Sequence, residues 1–196
     1  MDWKILKIYL DTNIFDVLTK NDNRKRETET LFFMIENGKF EAYYSPTVIE
    51  EILLTEDKLQ KHKLKNVLDE KIFINECVKL IPINTHNELA KIHNLVHRYW
   101  YISEKTIDVP GGIKIIRKKS IFSKLGSQAE DRVHIATAVL NRMDAFITWN
   151  TREFIKNNRI KNWINKINKE LGYSEIEIFS PPQLIEDPNI LKNKTD

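Results

Sequence analysis

Four acidic positions in this chain stand where side chains could do chemistry: Asp11, the adjacent Glu50 and Glu51, and Asp131. Asp11 ends an apolar run, Glu50 and Glu51 come shortly after a second such run, and Asp131 opens a helical pattern. Carboxylates gathered together repel one another and raise each other's pKa, so a cluster persists mainly where a hard divalent cation neutralises it. Such a cation acidifies water and neutralises charge on a phosphoryl oxygen, which is the chemistry of metal-dependent phosphodiester hydrolysis. Each acid also has a plainer reading. Asp11 and Asp131 can serve as helix-start acids favoured by the dipole, worth ~1 kcal/mol each. Glu130 completes a capping box with Ser127, and Glu50 reads as a solvent-facing neighbour of Glu51.

Other side chains invite chemistry less strongly. His134 lies three residues after Asp131 on the same helix face, a position that suits a general acid or a metal ligand. Its apolar neighbours favour a buried, hydrogen-bonded histidine instead. Trp149, Trp163 and the pair Phe32 and Phe33 could stack on bases, yet aromatics at strand or helix spacing read as core. Cys77 is the single cysteine, so it forms no internal disulfide and reads as inert.

The elements that must position these groups alternate. Strands are expected at Ile5 to Leu10, Phe40 to Ser45, Val78 to Ile83, Ala145 to Trp149 and Glu175 to Phe179, the last closed by Ser180-Pro181-Pro182. Helical patterns fall between them: Glu27 to Asn37 with Gly38 after it, Leu59 to Ile74, Ala129 to Met143, and Ile160 to Leu171 followed by Gly172. Thr85-His86-Asn87-Glu88 is a capping box opening a further helix with Leu89, Ile92, Leu95, Val96 and Tyr99 on its apolar face. Alternation of this kind predicts a three-layer α/β/α fold, with a mostly parallel sheet of about five strands between two helical layers. In open sheets of that class, ligands bind outside the carboxyl ends of the strands, where Asp11 falls.

Residues 102–126 break the rhythm. They carry Pro110-Gly111-Gly112 and then Lys114, Arg117, Lys118, Lys119 and Lys124 among Ile113, Ile115, Ile116, Ile121 and Phe122. A hairpin or a long loop fits, and contact with an RNA backbone is one use for such a basic segment. Solvation and a protein partner are the others. The chain has 196 residues, enough for one core, and reads as a single domain over 1–186 with a polar tail at 187–196. Its formal net charge is +3 with 30% of residues charged, which permits a nucleic-acid partner without demanding one. No uncharged run approaches the ~20 residues of a membrane span, and Met1 to Tyr9 lacks a leader pattern, so a soluble cytoplasmic protein is expected.

Four segments in order resemble the PIN-domain nuclease family. Ile8-Tyr9-Leu10-Asp11-Thr12-Asn13-Ile14-Phe15 resembles its opening strand and metal-binding Asp. Ser45-Pro46-Thr47-Val48-Ile49-Glu50-Glu51-Ile52 is similar to its second motif, whose spacing of six residues after the Ser selects Glu51 over Glu50. Asp131-Arg132-Val133-His134-Ile135-Ala136-Thr137-Ala138 looks like the third, and Phe146-Ile147-Thr148-Trp149-Asn150-Thr151-Arg152-Glu153-Phe154 like the fourth. Ile178-Phe179-Ser180-Pro181-Pro182-Gln183-Leu184 is similar to the family's last strand and the proline after it, so the likeness spans residues 5–185.

That resemblance implies a divalent-metal-dependent endoribonuclease. Asp11, Glu51 and Asp131 would bind Mg2+ or Mn2+, and Asn150 would position water or the scissile phosphate. Thr12, Asn13, Ser45 and Thr148 would support them. Asn150 stands where many relatives carry a fourth acid; its amide can orient a water but brings no charge. The implied biology is that of VapC-like toxins, commonly homodimers held inactive by a small antitoxin protein. Three other readings stay open: a degenerate module that binds RNA or protein without cutting, a DNA or structure-specific nuclease, and a phosphatase-like domain with Asp11 as nucleophile.

Overall fold

The computed structural model describes residues 5–74, 76–83, 85–108, 114–120 and 129–186. The chain runs β1 (Leu6–Leu10), α1 (Thr12–Leu18), α2 (Lys25–Glu36), β2 (Phe40–Tyr44), α3 (Pro46–Leu54), α4 (Lys58–Asp69) and β3 (Val78–Leu80). It continues through α5 (His86–Trp100), β4 (Tyr101–Asp108), β5 (Lys114–Ser120), α6 (Ala129–Leu140), β6 (Ala145–Ile147), α7 (Asn158–Glu170), β7 (Glu177–Phe179) and α8 (Pro181–Glu186). Two π-helical turns, Glu70–Ile74 and Thr151–Ile155, extend α4 and follow β6.

All five strands of the main sheet are parallel, in the order β3-β2-β1-β6-β7. Parallel strands covered on both faces need apolar residues on both, and β1 supplies them: only Lys7 of its five residues is exposed. Side chains alternate across the strand, so Ile8 and Leu10 join the core under α1, α2, α3, α4 and α8, while Tyr9 enters the core under α5, α6 and α7. Phe146 and Ile178 fall on the Tyr9 side, and Ala145, Ile147 and Phe179 on the other. The protein is therefore a three-layer α/β/α structure around a parallel sheet, as the alternation predicts.

Glycine signals end α2 and α7 within a residue of the expected positions, whereas α6 stops at Leu140, three residues short of the expected Met143. Gly38 adopts φ +69°, its N–H donates to Ile35 O at 2.9 Å, and Lys39 N–H donates to Met34 O at 3.0 Å. Gly172, at φ +76°, closes α7 with the same paired bonds to Lys169 and Asn168. The end of α6 uses that geometry with an arginine: Arg142 has φ 54°, its N–H donates to Val139 O, and Met143 N–H donates to Ala138 O, both at 3.0 Å. The Thr85 capping box forms in both directions, Thr85 N–H to Glu88 Oε2 and Glu88 N–H to Thr85 Oγ1, at 3.1 Å each.

Within the 102–126 segment the hairpin reading holds for the described residues: β4 and β5 pair antiparallel from Tyr101 opposite Ser120 to Asp108 opposite Lys114. Lys114, Arg117, Lys118 and Lys119 all belong to β5, with Lys118 opposite Glu104. Pro110, Gly111, Gly112, Ile113, Ile121, Phe122, Lys124, Ser127 and the 187–196 tail lie outside the described residues. No helix among the described residues is long and apolar enough to cross a membrane.

The strand order fixes where a site can form. The chain steps outward from β1 to β3, then returns to place β6 on the free side of β1. Crossovers diverge at that point and leave a crevice at the carboxyl ends of β1 and β6. Asp11 follows β1, Thr148 follows β6, and Ser45 follows β2.

Candidate functional site

Asp11 sits at the N-cap position of α1, yet its carboxylate does not cap that helix. Instead Oδ2 accepts Asn13 Nδ2 and Thr148 Oγ1, each at 2.6 Å, and the residue is 3% exposed. The plain capping reading therefore fails for Asp11: its oxygen is spent on holding the end of β1 to the end of β6. Asn13 completes the clasp, its Oδ1 accepting the Trp149 N–H at 2.8 Å and its Nδ2 reaching Thr148 Oγ1 at 3.0 Å. Thr148 also accepts the Asn150 N–H at 2.9 Å. All four supporting residues expected from sequence are engaged, Thr12 and Ser45 in the manner that follows.

The second carboxylate comes from α3. Pro46 starts that helix after Ser45, and the helical turn carries Glu51 inward while Glu50 faces solvent. Glu51 Oε2 accepts the Thr12 hydroxyl and lies 3.2 Å from His134 Nε2. His134 Nε2 is also 3.8 Å from Asp11 Oδ1 and 3.4 Å from Thr12 Oγ1. On its other side, His134 Nδ1 meets the Tyr9 hydroxyl at 2.7 Å, and Tyr9 in turn meets Ser45 Oγ at 2.5 Å. His134, Tyr9 and Ser45 are all 0% exposed.

Asp11, Glu51 and His134 thus each offer one donor atom, all within 4.8 Å of one another, and could hold a metal ion. The donor set fits a cation chemically: two carboxylates supply charge, and an imidazole nitrogen is a common ligand whose second nitrogen is usually fixed by an outer partner, here Tyr9. Asp131 stands outside that group of three. It is half-buried on α6 and accepts Asn150 Nδ2 at 3.4 Å, so Asn150 and Thr148 link it to Asp11. The structure therefore brings together Asp11 and Glu51 as expected, joins Asp131 to Asn150 beside them, and adds His134.

Electrostatics separates the two carboxylates. Burial pushes the Asp11 carboxyl above its ordinary value and Glu51 adds to this, while His134 and the Thr148 hydrogen bond pull the other way and lose. For half-buried Glu51 burial also acts upward, but the His134 hydrogen bond and charge and the Thr12 hydroxyl outweigh it, and its carboxyl falls below the usual value. Tyr9 is held well above the ordinary phenol range, first by burial and then by the Asp11 and Glu51 charges, with Ser45 opposing, so it remains a hydroxyl.

His134 is the buried, hydrogen-bonded histidine its apolar neighbours imply, and it is also part of the acidic cluster. Tyr9 goes unremarked by motif spacing. Its signal is a phenol in the middle of a central strand, where a buried hydroxyl must find a partner. The aromatic candidates are mostly core: Trp149 is 8% exposed with Nε1 donating to Thr28 Oγ1 at 3.0 Å, and Phe32 is 1% exposed. Phe33 departs from that expectation at 65% exposed, because one residue along α2 turns it away from the sheet. Cys77 Sγ–H donates to Lys71 O at 3.2 Å, and burial, helped by the Glu36 charge, pushes its thiol above the usual value, which disfavours the reactive thiolate. No protein-family model matches the chain, and among curated proteins none gives a significant match.

Proposed function

We propose that this chain is a divalent-metal-dependent endoribonuclease of the PIN-domain kind. One observation carries the reading: Asp11, Glu51 and His134 converge within 4.8 Å at the carboxyl end of the central strand, at the switch point where sheets of this class bind ligands. A divalent cation held by Asp11 and Glu51 would supply Lewis acidity, neutralising phosphoryl charge and making water a better nucleophile. Asp131, which accepts the Asn150 amide, would supply a further carboxylate beside the cation, and Asn150 would orient a water or a phosphate oxygen. Asn13 and Thr148 keep Asp11 aimed by occupying its Oδ2, Thr12 holds Glu51 through Oε2, and Ser45 supports the Tyr9 hydroxyl that meets the imidazole's far side. Preference for RNA over DNA rests on the family resemblance, since no group here is assigned to a 2′-hydroxyl.

Matched single-stranded RNA and DNA, incubated with Mg2+, Mn2+ or EDTA, test the proposal. Cleavage of RNA that needs metal and is abolished by Asp11→Asn and Asp131→Asn is the expected result. Cleavage that persists in EDTA or in Asp11→Asn overturns it. The resemblance extends the reading to a toxin that forms a homodimer and is held by a small antitoxin protein, for which a neighbouring small gene and a co-purifying partner are the direct checks. Asn150 favours a second reading, a module that binds RNA or protein without cutting, and stoichiometric metal binding with no cleavage of either nucleic acid would select it.

A further inference from the structure

The residue between the two carboxylates is a nitrogen base, and that has consequences for which ion the site accepts. His134 Nε2 points at Glu51 Oε2 (3.2 Å) and Asp11 Oδ1 (3.8 Å), with Thr12 Oγ1 at 3.4 Å, so this nitrogen and the carboxylate oxygens share one focus. Nδ1 is turned away, to the Tyr9 hydroxyl. Tyr9 has one proton and two polar neighbours, His134 Nδ1 at 2.7 Å and Ser45 Oγ at 2.5 Å. When Tyr9 donates to His134, the imidazole proton sits on Nε2 and points into the carboxylates. When His134 Nδ1–H donates to Tyr9, Tyr9 donates to Ser45, and Nε2 is a bare lone pair at the carboxylate focus. Ser45 can donate or accept, so the buried pair supports either tautomer without moving a heavy atom.

We propose that His134 Nε2 is a direct ligand at the Asp11 and Glu51 site, held in its ligating tautomer by Tyr9 and Ser45, and that it makes the site prefer transition-metal dications over Mg2+. Mg2+ favours an all-oxygen octahedral shell with several waters, whereas imidazole suits the later first-row ions, for which affinity rises from Mn2+ to Co2+. Asp11 and Glu51 alone would give a site with little discrimination. Tyr9 is a positioning residue here: it touches the ring and not the ion, and its loss frees the imidazole to rotate or to keep the wrong tautomer. The inference rests on the metal reading above and adds the third donor and the selectivity.

Pulsed electron paramagnetic resonance of Mn2+ added to the protein tests it directly. Bound Mn2+ should show nitrogen modulation from a coordinated imidazole, and Asp11→Asn should remove the bound signal. Calorimetric titrations should give Co2+ tighter than Mn2+ and Mn2+ tighter than Mg2+. His134→Gln should abolish the modulation and weaken Co2+ far more than Mg2+. Tyr9→Phe should keep the modulation yet weaken Co2+ by about 10- to 100-fold, the usual effect of removing a ligand's outer partner, with Mg2+ less affected. Equal weakening of both ions by Tyr9→Phe would overturn the positioning role. Stoichiometric Mn2+ bound through Asp11 with no nitrogen modulation would overturn the ligand assignment while leaving the metal site standing. No Mn2+ binding, or binding indifferent to Asp11→Asn, would overturn the metal reading and this inference with it.

Discussion

Two buried threonines allow the hydrogen-bond network of the site to be weighed against an internal control. Thr148 and Thr137 are both 0% exposed, and replacing either by valine keeps its shape. Thr148 Oγ1 donates to Asp11 Oδ2 at 2.6 Å and accepts the Asn150 N–H at 2.9 Å and Asn13 Nδ2 at 3.0 Å. Thr137 Oγ1 has no hydrogen-bond partner among the described residues. In Thr148→Val a bond to a charged acceptor, worth about 1.5–3 kcal/mol, is lost, and a backbone donor is left without its acceptor at a cost of about 1–3 kcal/mol. Asn13 keeps its second bond to Asp11, so the net expectation is roughly 3–5 kcal/mol of destabilisation. For a chain of this size that is on the order of 10 °C in Tm. Thr137→Val removes an unsatisfied buried hydroxyl and should stabilise by about 1 kcal/mol. Urea unfolding in EDTA reads both, as shifts of the midpoint at unchanged m. Equal effects from the two substitutions, or a larger loss from Thr137→Val, would refute the hydrogen-bond assignment on which the site rests.

Other outcomes follow from the same geometry. Because the folded Asp11 carboxyl lies above its ordinary value, the fold holds that proton more tightly than the unfolded chain; in EDTA this stabilisation is lost as pH rises from about 4 through the folded value. Asp11→Asn should remove that pH-dependent loss and leave the metal-free protein more stable than wild type at pH ~7, as thermal scans across pH would show; Glu51, shifted the opposite way, loses its contribution below its ordinary range. Arg142→Gly should stabilise by roughly 1 kcal/mol in denaturant titrations, since φ 54° strains an arginine and suits glycine; a loss of stability would show that the arginine side chain matters more than its backbone. Serine at Arg117, Lys118 and Lys119 together should weaken single-stranded RNA binding and flatten its salt dependence by about 0.7 per lost phosphate contact, leaving Mn2+ affinity unchanged; unchanged affinity and slope would reassign the hairpin to assembly or solubility.

The strands were legible because buried parallel strands are short, nearly unbroken apolar runs between turn signals. Their ends were less so. The run from Val78 to Ile83 reads as one strand, but it ends at Leu80: Ile81 still donates to Tyr44 O, and Pro82 has no N–H to continue. The run to Trp149 stops at Ile147 because the Trp149 N–H is taken by the Asn13 side chain. The pairing of Asp11 with Glu51 was implied by the resemblance to the PIN-domain motifs. The meeting of Tyr9 with His134 was not, since 125 residues separate them and only the packing of α6 on the sheet brings a strand phenol under a helix imidazole. Spacing does show that Asp131 and His134 share a helix face; it does not show which of the two turns toward Glu51.

The position of β1 at the sheet's centre also sets a timetable for synthesis. β2 follows soon after β1 and can pair along one of its edges, with β3 adding beyond β2, but the opposite edge must wait for β6. The Asp11–Thr148 bond spans 137 residues. At roughly 5–20 residues per second, the ribosome takes on the order of ten seconds to cover that interval. For most of it the nascent chain carries Asp11, and then Glu51, without the histidine beside them or the threonine that holds Asp11, and with one side of its central strand unpaired. Asp11 and Glu51 are therefore made well before the residues that complete their surroundings, so the site becomes competent only once the segment through Thr148 has been released.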